Sequence, residues 1–296
     1  MDRADITPAL VSRLLAAQFP YWAGLPLRHV ERDGWDNRTF RLGDDMSVRL
    51  PSAERYAPQV DKEHRWLPFL AGRLPLAIPE PLARGKPGGG FPWPWSVYRW
   101  LEGEPAAVAP IDDPVQFATE LAGFLAALYG IDPWGGPAAG SHNFFRGGSL
   151  AIYDAETREA MVALGGEIDA QRAERVWHAA LEATWHGSPV WLHGDVEAGN
   201  LLVKEGRLSA VIDFGCSGVG DPACDLTIAW TLLSGAGRQA FRAQMPVDEA
   251  TWARGRGWAL WKAMNTLARD LKAGRQPVSP ARRVIHDVLD EHDSRA

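Results

Sequence analysis

The stretch from His193 to Gly215, HGDVEAGNLLVKEGRLSAVIDFG, constrains this chain more than any other. Asp195 stands five residues before Asn200, and Asp213 closes an apolar run immediately ahead of Phe214-Gly215. Two strand-like runs, LLV and LSAVI, flank a turn at Lys204–Gly206. The pattern predicts a loop followed by a tight hairpin, with a carboxylate and an amide on the loop and a second carboxylate at the hairpin's far end. A carboxylate can align a hydroxyl and receive its proton, while an amide oxygen and a carboxylate suit a hard divalent cation. Any one of these residues alone reads as a turn former or a loop cap; the joint spacing between strands is the signal.

The whole chain sets the bounds within which this segment must work. Its 296 residues suffice for one large domain or two lobes with a real core. Hydrophobic content of 46% and charged content of 23% are those of a soluble globular protein. A net charge of −6 argues against a nucleic-acid partner, which selects a concentrated basic face. Cys216 and Cys224 are too few for a disulfide framework and carry no zinc-ligand spacing, so they read as small buried thiols in a reducing compartment. The N-terminus lacks a long apolar run and no stretch reaches membrane-spanning length, so the expectation is a cytoplasmic protein with no membrane partner. Fourteen tryptophans are many, and their large area reads as core packing, with one or two left to wall a substrate pocket.

Along the chain, Thr7-Pro8 ahead of ALVSRLLAAQF predicts a capped helix. Strands are expected at Leu25–Glu31, Thr39–Leu42 and Met46–Leu50, with a turn at Gly43-Asp44. Helical spacing over Pro58–Leu70 places Val60, Glu63, Trp66, Leu67 and Leu70 at related positions, and Pro68 should weaken the last turn. Two more strands follow near Leu82–Arg84 and Trp95–Leu101. Beyond Gly103 the character turns helical, with candidates at Pro114–Tyr129, Asp154–Leu164, Ile168–Trp185, Pro222–Leu233, Asp248–Leu271 and Pro280–Asp290, interrupted by the hairpin from Val190 to Asp213. A strand-rich first third and a helix-rich remainder predict an α+β chain of two lobes, 1–100 and 101–296.

Phosphoryl transfer is the chemistry this set serves best. Asp195 is the candidate catalytic base, which mainly aligns the acceptor hydroxyl because the transition state is loose. Asn200 and Asp213 are the candidate Mg2+ ligands. His193 reads as structural. Gly34-Trp35-Asp36-Asn37, between two strands, could let backbone N–H groups approach phosphate oxygens. Arg49 on the strand Met46–Leu50 is a candidate phosphate-pairing cation, braced by Glu63; the bland alternative is an exposed Arg and an exposed Glu. Asp221 and Asp225, in GDPACDL, either accept backbone N–H groups of the catalytic loop or cap the helix beginning at Pro222.

These segments, HGDVEAGN (193–200), VIDFG (211–215) and GDPACDL (220–226), together with GWDNRTF (34–40), MSVRL (46–50) and WLEGE (100–104), resemble the aminoglycoside phosphotransferase family over nearly the whole chain. The resemblance implies a two-lobed protein-kinase-like fold, with a small antiparallel-sheet N-lobe and a larger, mostly helical C-lobe. It implies transfer of the γ-phosphate of ATP (GTP in some members) to a hydroxyl of a small molecule. By the same carry-over, Asp195 is the base, Asn200 and Asp213 bind Mg2+, Gly34, Asn37, Arg49 and Glu63 serve the phosphate end, and the Val97–Leu101 backbone, with Arg99 and Leu101, holds the purine. Two positions depart from the pattern. Arg49 stands where kinases commonly carry lysine, and the two cations are not interchangeable. Glu197 stands where many relatives carry histidine, and either favours a cationic acceptor or faces solvent.

Competing readings are narrower. Gly218-Val219-Gly220-Asp221-Pro222-Ala223 matches a dinucleotide-binding fingerprint, yet a helix opening on Asp-Pro sets a negative charge where a pyrophosphate would lie. A catalytically silent nucleotide-binding module is the second alternative, countered by the presence of all three site residues. Four residues separate Gly215 from Gly220, too few for the segment that docks a polypeptide, so a small hydroxylated acceptor, cationic if an aminoglycoside, is expected rather than a protein. Kinases of choline, homoserine, macrolides and sugar amines share the resemblance and stay open as alternatives.

Overall fold

The computed structural model describes residues 1–31, 33–274 and 280–294. They separate into two compact units: Met1–Gly103 with Ser209–Cys216, and Glu104–Leu208 with the chain from Ser217 onward.

In the first unit, strands β1 (Leu27–His29), β2 (Asn37–Leu42), β3 (Met46–Pro51), β4 (Pro81–Gly85) and β5 (Trp95–Arg99) form one antiparallel sheet in the order β1-β2-β3-β5-β4. Gly43, at φ 61°, makes the left-handed turn that joins β2 to β3 and pairs Leu42 with Met46. Helix α1 (Pro8–Gln18) is capped by Thr7, whose side chain accepts from Leu10 N. Its Leu10, Val11, Leu14 and Leu15 are buried with Phe40, Leu42, Val48, Leu50, Trp95 and Val97 in one apolar cluster. Strand alternation then sends Ser47 and Arg49 of β3 to the opposite face. A one-residue slip would expose Val48 and Leu50, at about 2 kcal/mol each; the register that carries Arg49 is therefore fixed by the core behind it.

Helix α2 (Ala57–Ala71) runs through Pro68 to Ala71. Proline removes one backbone bond near the end of the helix, and the buried Leu67 and Leu70 on either side of it hold the last turn. The chain comes back to this unit at Ser209–Cys216, where Val211 N donates to Ala77 O at 3.0 Å and Lys62 Nζ donates to Gly215 O at 2.6 Å.

The second unit holds α3 (Pro114–Tyr129), α4 (Asp154–Ala163), α5 (Ala170–Glu182), α6 (Ile228–Thr231), α7 (Gly235–Gln244), α8 (Glu249–Lys272) and α9 (Pro280–Asp293). Its short strands are β6 (Glu104–Pro105), β7 (Val190–Leu192), β8 (Leu201–Lys204) and β10 (Gly218–Gly220); β9 (Arg207–Val211) starts here and ends in the first unit. Strand β7 pairs with β10, and β6 with β8, both antiparallel. The helix expected over Pro222–Leu233 is instead a 3-10 segment, Pro222–Thr227, followed by the single turn of α6. Helix α7 had no sequence signal, because its opening Gly-Ala-Gly is poor helix material. Gly237 has a packing role there: a Cβ would lie 3.0 Å from Pro114 O, so its absence lets α7 approach α3.

Six tryptophans (Trp95, Trp177, Trp191, Trp230, Trp252 and Trp258) are fully buried, as core packing requires. Neither cysteine forms a disulfide, and both are buried. Among the described residues, no helix is long and apolar enough to cross a membrane.

Candidate active site

In the second unit the buried strand β7 delivers the chain to His193, which is fully buried, and to Gly194, at φ 83°. Asp225, completely buried, accepts from His193 N at 2.9 Å and Gly194 N at 2.7 Å. Burial pushes the Asp225 carboxyl up, against His193 and the two backbone N–H groups, which favour its charge. The Nδ1 of His193 accepts from Asp195 N at 3.2 Å. His193 is therefore a brace for the loop. Asp221 caps the following segment through Ala223 N and takes a two-bond pairing from Arg254 of α8, at 2.6 and 3.0 Å. The loop anchor is thus Asp225, and Asp221 is the cap.

From Asp195 the chain makes one 3-10 turn, Ala198–Asn200, with Asn200 N bonded to Glu197 O at 2.9 Å. The five-residue spacing thereby returns Asn200 to Asp195. Its Nδ2 donates to the Asp195 backbone oxygen at 2.9 Å and to Asp195 Oδ2 at 3.3 Å. With the amide nitrogen turned to Asp195, the amide oxygen is the part of Asn200 left for a cation.

Asp195 has a further partner from far along the sequence. Helix α8 places Arg254, Trp258, Trp261 and Lys262 at i, i+4, i+7 and i+8, along one stripe. Lys262 Nζ lies 3.1 Å from Asp195 Oδ1 and also pairs with the Glu197 carboxylate. Arg146 stacks on Trp258 and Trp261, at 5.0 and 4.8 Å from the ring centroids, and its Nε donates to Gly194 O at 3.1 Å. Burial alone would raise the Asp195 pKa; Lys262, Arg146 and His193 outweigh it and hold the carboxyl below its ordinary range. Glu197 therefore does not simply face solvent: it is one side of an Asp195–Lys262–Glu197 cluster.

In the first unit Arg49 NH2 lies 2.9 Å from Asp213 Oδ1, and NH1 lies 3.8 Å from Glu63 Oε1. Tyr98 OH bonds to the other oxygen of Glu63. Glu63 is buried, and burial raises its pKa despite Arg49. Burial opposes the charge of Arg49, but Asp213 and Glu63 more than offset it and raise its pKa. Lys62, one residue before Glu63, is lowered by burial to about 8. Asp213 itself sits at φ 66°, a left-handed conformation tolerated by Asp and held here by the Arg49 contact. Gly34 lies close by: a Cβ there would stand 3.8 Å from Asp213 Oδ2, so the missing side chain leaves the second oxygen of Asp213 uncovered on that side. Arg3 holds this turn by donating to Gly34 O at 2.7 Å and Trp35 O at 2.8 Å.

The remaining expected residues lie elsewhere in the first unit. Asn37 is buried as the first residue of β2. Arg99 closes β5, exposed and paired with Glu80 at 2.6 Å, and Leu101 follows the strand end. Among the described residues there is no cluster of three or more His, Cys, Asp or Glu suited to a metal. The Asn200 amide oxygen and, in the first unit, the Asp213 carboxylate are each hard oxygen donors of the kind that Mg2+ takes. Sequence reasoning gave no role to Lys62, Arg146 or Lys262. The signal for Lys262 was available: it is a single charge inside the apolar run WALWKAM.

Comparison with known proteins gives this arrangement its context. A family model described as the phosphotransferase enzyme family (APH) matches residues 30–258. Viomycin phosphotransferase of Streptomyces vinaceus is 31% identical over 164 residues, which is 52% of this chain and 55% of that protein. An aminoglycoside 3'-phosphotransferase of Escherichia coli is 39% identical over 62 residues, 21% of this chain and 23% of that protein. The chain thus spans about half, or less, of the length of these curated relatives. The GDP complex of wild-type aminoglycoside 2'-phosphotransferase-IIIa superposes with a TM-score of 0.69 at 18% identity, covering 95% of this chain and 98% of that one. Macrolide 2'-phosphotransferase MphH from Brachybacterium faecium superposes with a TM-score of 0.61 at 23% identity, covering 96% and 98%. At these identities the structural likeness carries the fold, which is the α+β protein-kinase-like fold expected from the sequence. The fold over nearly all of the chain and a family match over 30–258 lead to one assignment: the chain belongs to the phosphotransferase enzyme family.

Proposed function

We propose that this protein transfers the γ-phosphate of ATP, or of GTP, to a hydroxyl of a small antibiotic-type molecule, an aminoglycoside being the first candidate. The observation that carries the reading is the state of Asp195: a partly exposed carboxylate on a braced loop, kept ionised by neighbouring cations and hydrogen-bonded to Asn200. A group in that state can accept a hydrogen bond from a hydroxyl, fix its direction of attack and take its proton as the bond to phosphorus forms.

The other residues have matching duties. Asp225 fixes the loop backbone that carries Asp195 by accepting from His193 N and Gly194 N. Asn200 and Asp213 are the proposed oxygen donors for Mg2+, and Arg49, steadied by Glu63, is the proposed cation for the phosphates. The turn at Gly34, with Asn37 behind it, would bring backbone N–H groups to phosphate oxygens. The backbone of Val97–Leu101, including Arg99 and Leu101, is the proposed purine contact. When bound, the Mg2+–nucleotide supplies the phosphoryl group and neutralises the charge that develops on it. Names of relatives support the acceptor class: viomycin and aminoglycoside phosphotransferases by sequence, and kanamycin, gentamicin and streptomycin complexes by fold. An ATP donor, as proposed, fits a cytoplasmic setting.

The test is ADP release, with Mg-ATP and then Mg-GTP, over a panel containing kanamycin, gentamicin, streptomycin, viomycin, a macrolide, choline and homoserine. Turnover by an antibiotic that vanishes in Asp195→Ala supports the reading. Turnover by choline or homoserine alone moves the enzyme to a metabolic kinase, and no turnover with any acceptor leaves the silent-module reading.

A further inference from the structure

Asp195 and Glu197 carry two carboxylates two residues apart on one loop, and Lys262 bridges them. An acceptor hydroxyl must come within about 2.6–3.2 Å of the Asp195 carboxylate to lose its proton there. Amino-sugar acceptors carry ammonium groups, and an ammonium on the carbon next to that hydroxyl would seek the same pair of carboxylates. That position is taken. The cluster of Asp195, Glu197, Lys262 and Arg146 is balanced in charge, two negative against two positive, so it leaves no net negative charge for an ammonium directly beside the reacting hydroxyl.

We propose that Lys262 sets acceptor selectivity: its ammonium occupies the place between Asp195 and Glu197 that an acceptor amine would otherwise fill, so the enzyme phosphorylates a hydroxyl with no charged amine beside it. This rests on the reading of Asp195 as the catalytic base. Lys262 is suited to the role because its side chain is 30% exposed, within reach of an acceptor, while its stem springs from a helix whose neighbouring Trp258, Trp261 and Met264 are buried. Burial works against its charge, and Asp195 and Glu197 more than offset that, so it stays an ammonium. A second ammonium brought beside it meets repulsion that this partly dry environment does not fully screen. Were Lys262 merely a surface ion pair, its removal would change little.

The test compares kanamycin with per-N-acetylated kanamycin, which keeps the hydroxyls and loses the charges. KM is read from ADP release for the wild type, Lys262→Met and Glu197→Gln; where turnover is too slow, Kd from calorimetry on the protein loaded with Mg2+ and a non-hydrolysable ATP analogue reads the same shift. Lys262→Met should lower the kanamycin constant by about tenfold or more relative to that of the acetylated probe. Glu197→Gln, which removes a negative charge and leaves the lysine, should move the kanamycin constant the opposite way. These opposed signs from two contacting residues are not what loss of structure produces. A kanamycin constant unchanged or raised in Lys262→Met, or an equal shift for both probes, overturns the proposal. If Asp195→Ala is inactive and Lys262→Met leaves selectivity flat, this inference alone fails; if Asp195→Ala keeps full turnover, the assignment of the base fails with it.

Discussion

Replacing Arg49 with methionine should strand a buried carboxylate, and the cost can be worked from the structure. Glu63 is buried, its Oε1 has Arg49 as ionic partner at 3.8 Å, and its Oε2 takes the Tyr98 hydroxyl. Without the guanidinium, Glu63 takes up a proton in the folded protein. Holding a carboxyl with an ordinary pKa of about 4.3 protonated at pH 7 costs about 4 kcal/mol, at about 1.4 kcal/mol per pH unit. That agrees with the roughly 3–5 kcal/mol seen on breaking buried ion pairs. It is an upper bound, because burial already raises the Glu63 pKa in the wild type and because the ammonium of Lys62, itself lowered by burial to about 8, also attracts Glu63. The sign follows from linkage: in Arg49→Met the folded state holds a proton that the unfolded state has lost, so stability falls as pH rises from about 4.3 toward 7. Urea unfolding at pH 5, 6 and 7 would read a penalty growing by about 1.4 kcal/mol per unit. Adding Glu63→Gln should abolish that slope and restore much of the stability. A penalty below about 1 kcal/mol at pH 7, or a slope that survives Glu63→Gln, would refute the reasoning.

Three further outcomes are expected. Asp195→Asn should lower kcat by about 10²–10⁴-fold, in steady-state assays, with nucleotide affinity nearly unchanged, since its contacts are with the loop, Asn200 and Lys262. Asp213→Ala should abolish Mg2+-dependent nucleotide binding in calorimetry; normal affinity there would contradict the metal assignment. Asp248→Ala should cost about 1 kcal/mol in thermal unfolding at pH 7, because its carboxylate caps α8 through Thr251 N at 2.7 Å. Bonds from Thr251 hold the Asp248 carboxyl below its usual range, so this contribution is present above about pH 4 and is lost as pH falls through the depressed folded value.

Much of the fold was legible because local rules and packing agree. The alternation of Phe40-Leu42 and Val48-Leu50, the Thr7-Pro8 cap and the turn at Gly43 each point to the element that forms. The helix expected over Pro222–Leu233 was not, because the Asp221–Arg254 pairing and the burial of Cys224, Asp225 and Leu226 hold a 3-10 path there. The same division runs through the site. The Asp195–Asn200 contact follows from a five-residue spacing, since one tight turn returns the amide to the carboxylate. Arg49 beside Asp213 is separated by 164 residues, and only the strand parity of Arg49 hinted at it. Lys262, 67 residues from Asp195, could be noticed as an odd charge but not assigned a partner.

The return of Ser209–Cys216 to the first unit bears on how the protein can be made and cut. During synthesis the first unit cannot complete itself when its first 103 residues have emerged. Ala77, Lys62 and Arg49 wait for Val211, Gly215 and Asp213. A fragment ending at Gly103 should therefore be a poor stand-alone nucleotide binder, and a swap of this unit between relatives succeeds only if the distant eight-residue segment travels with it.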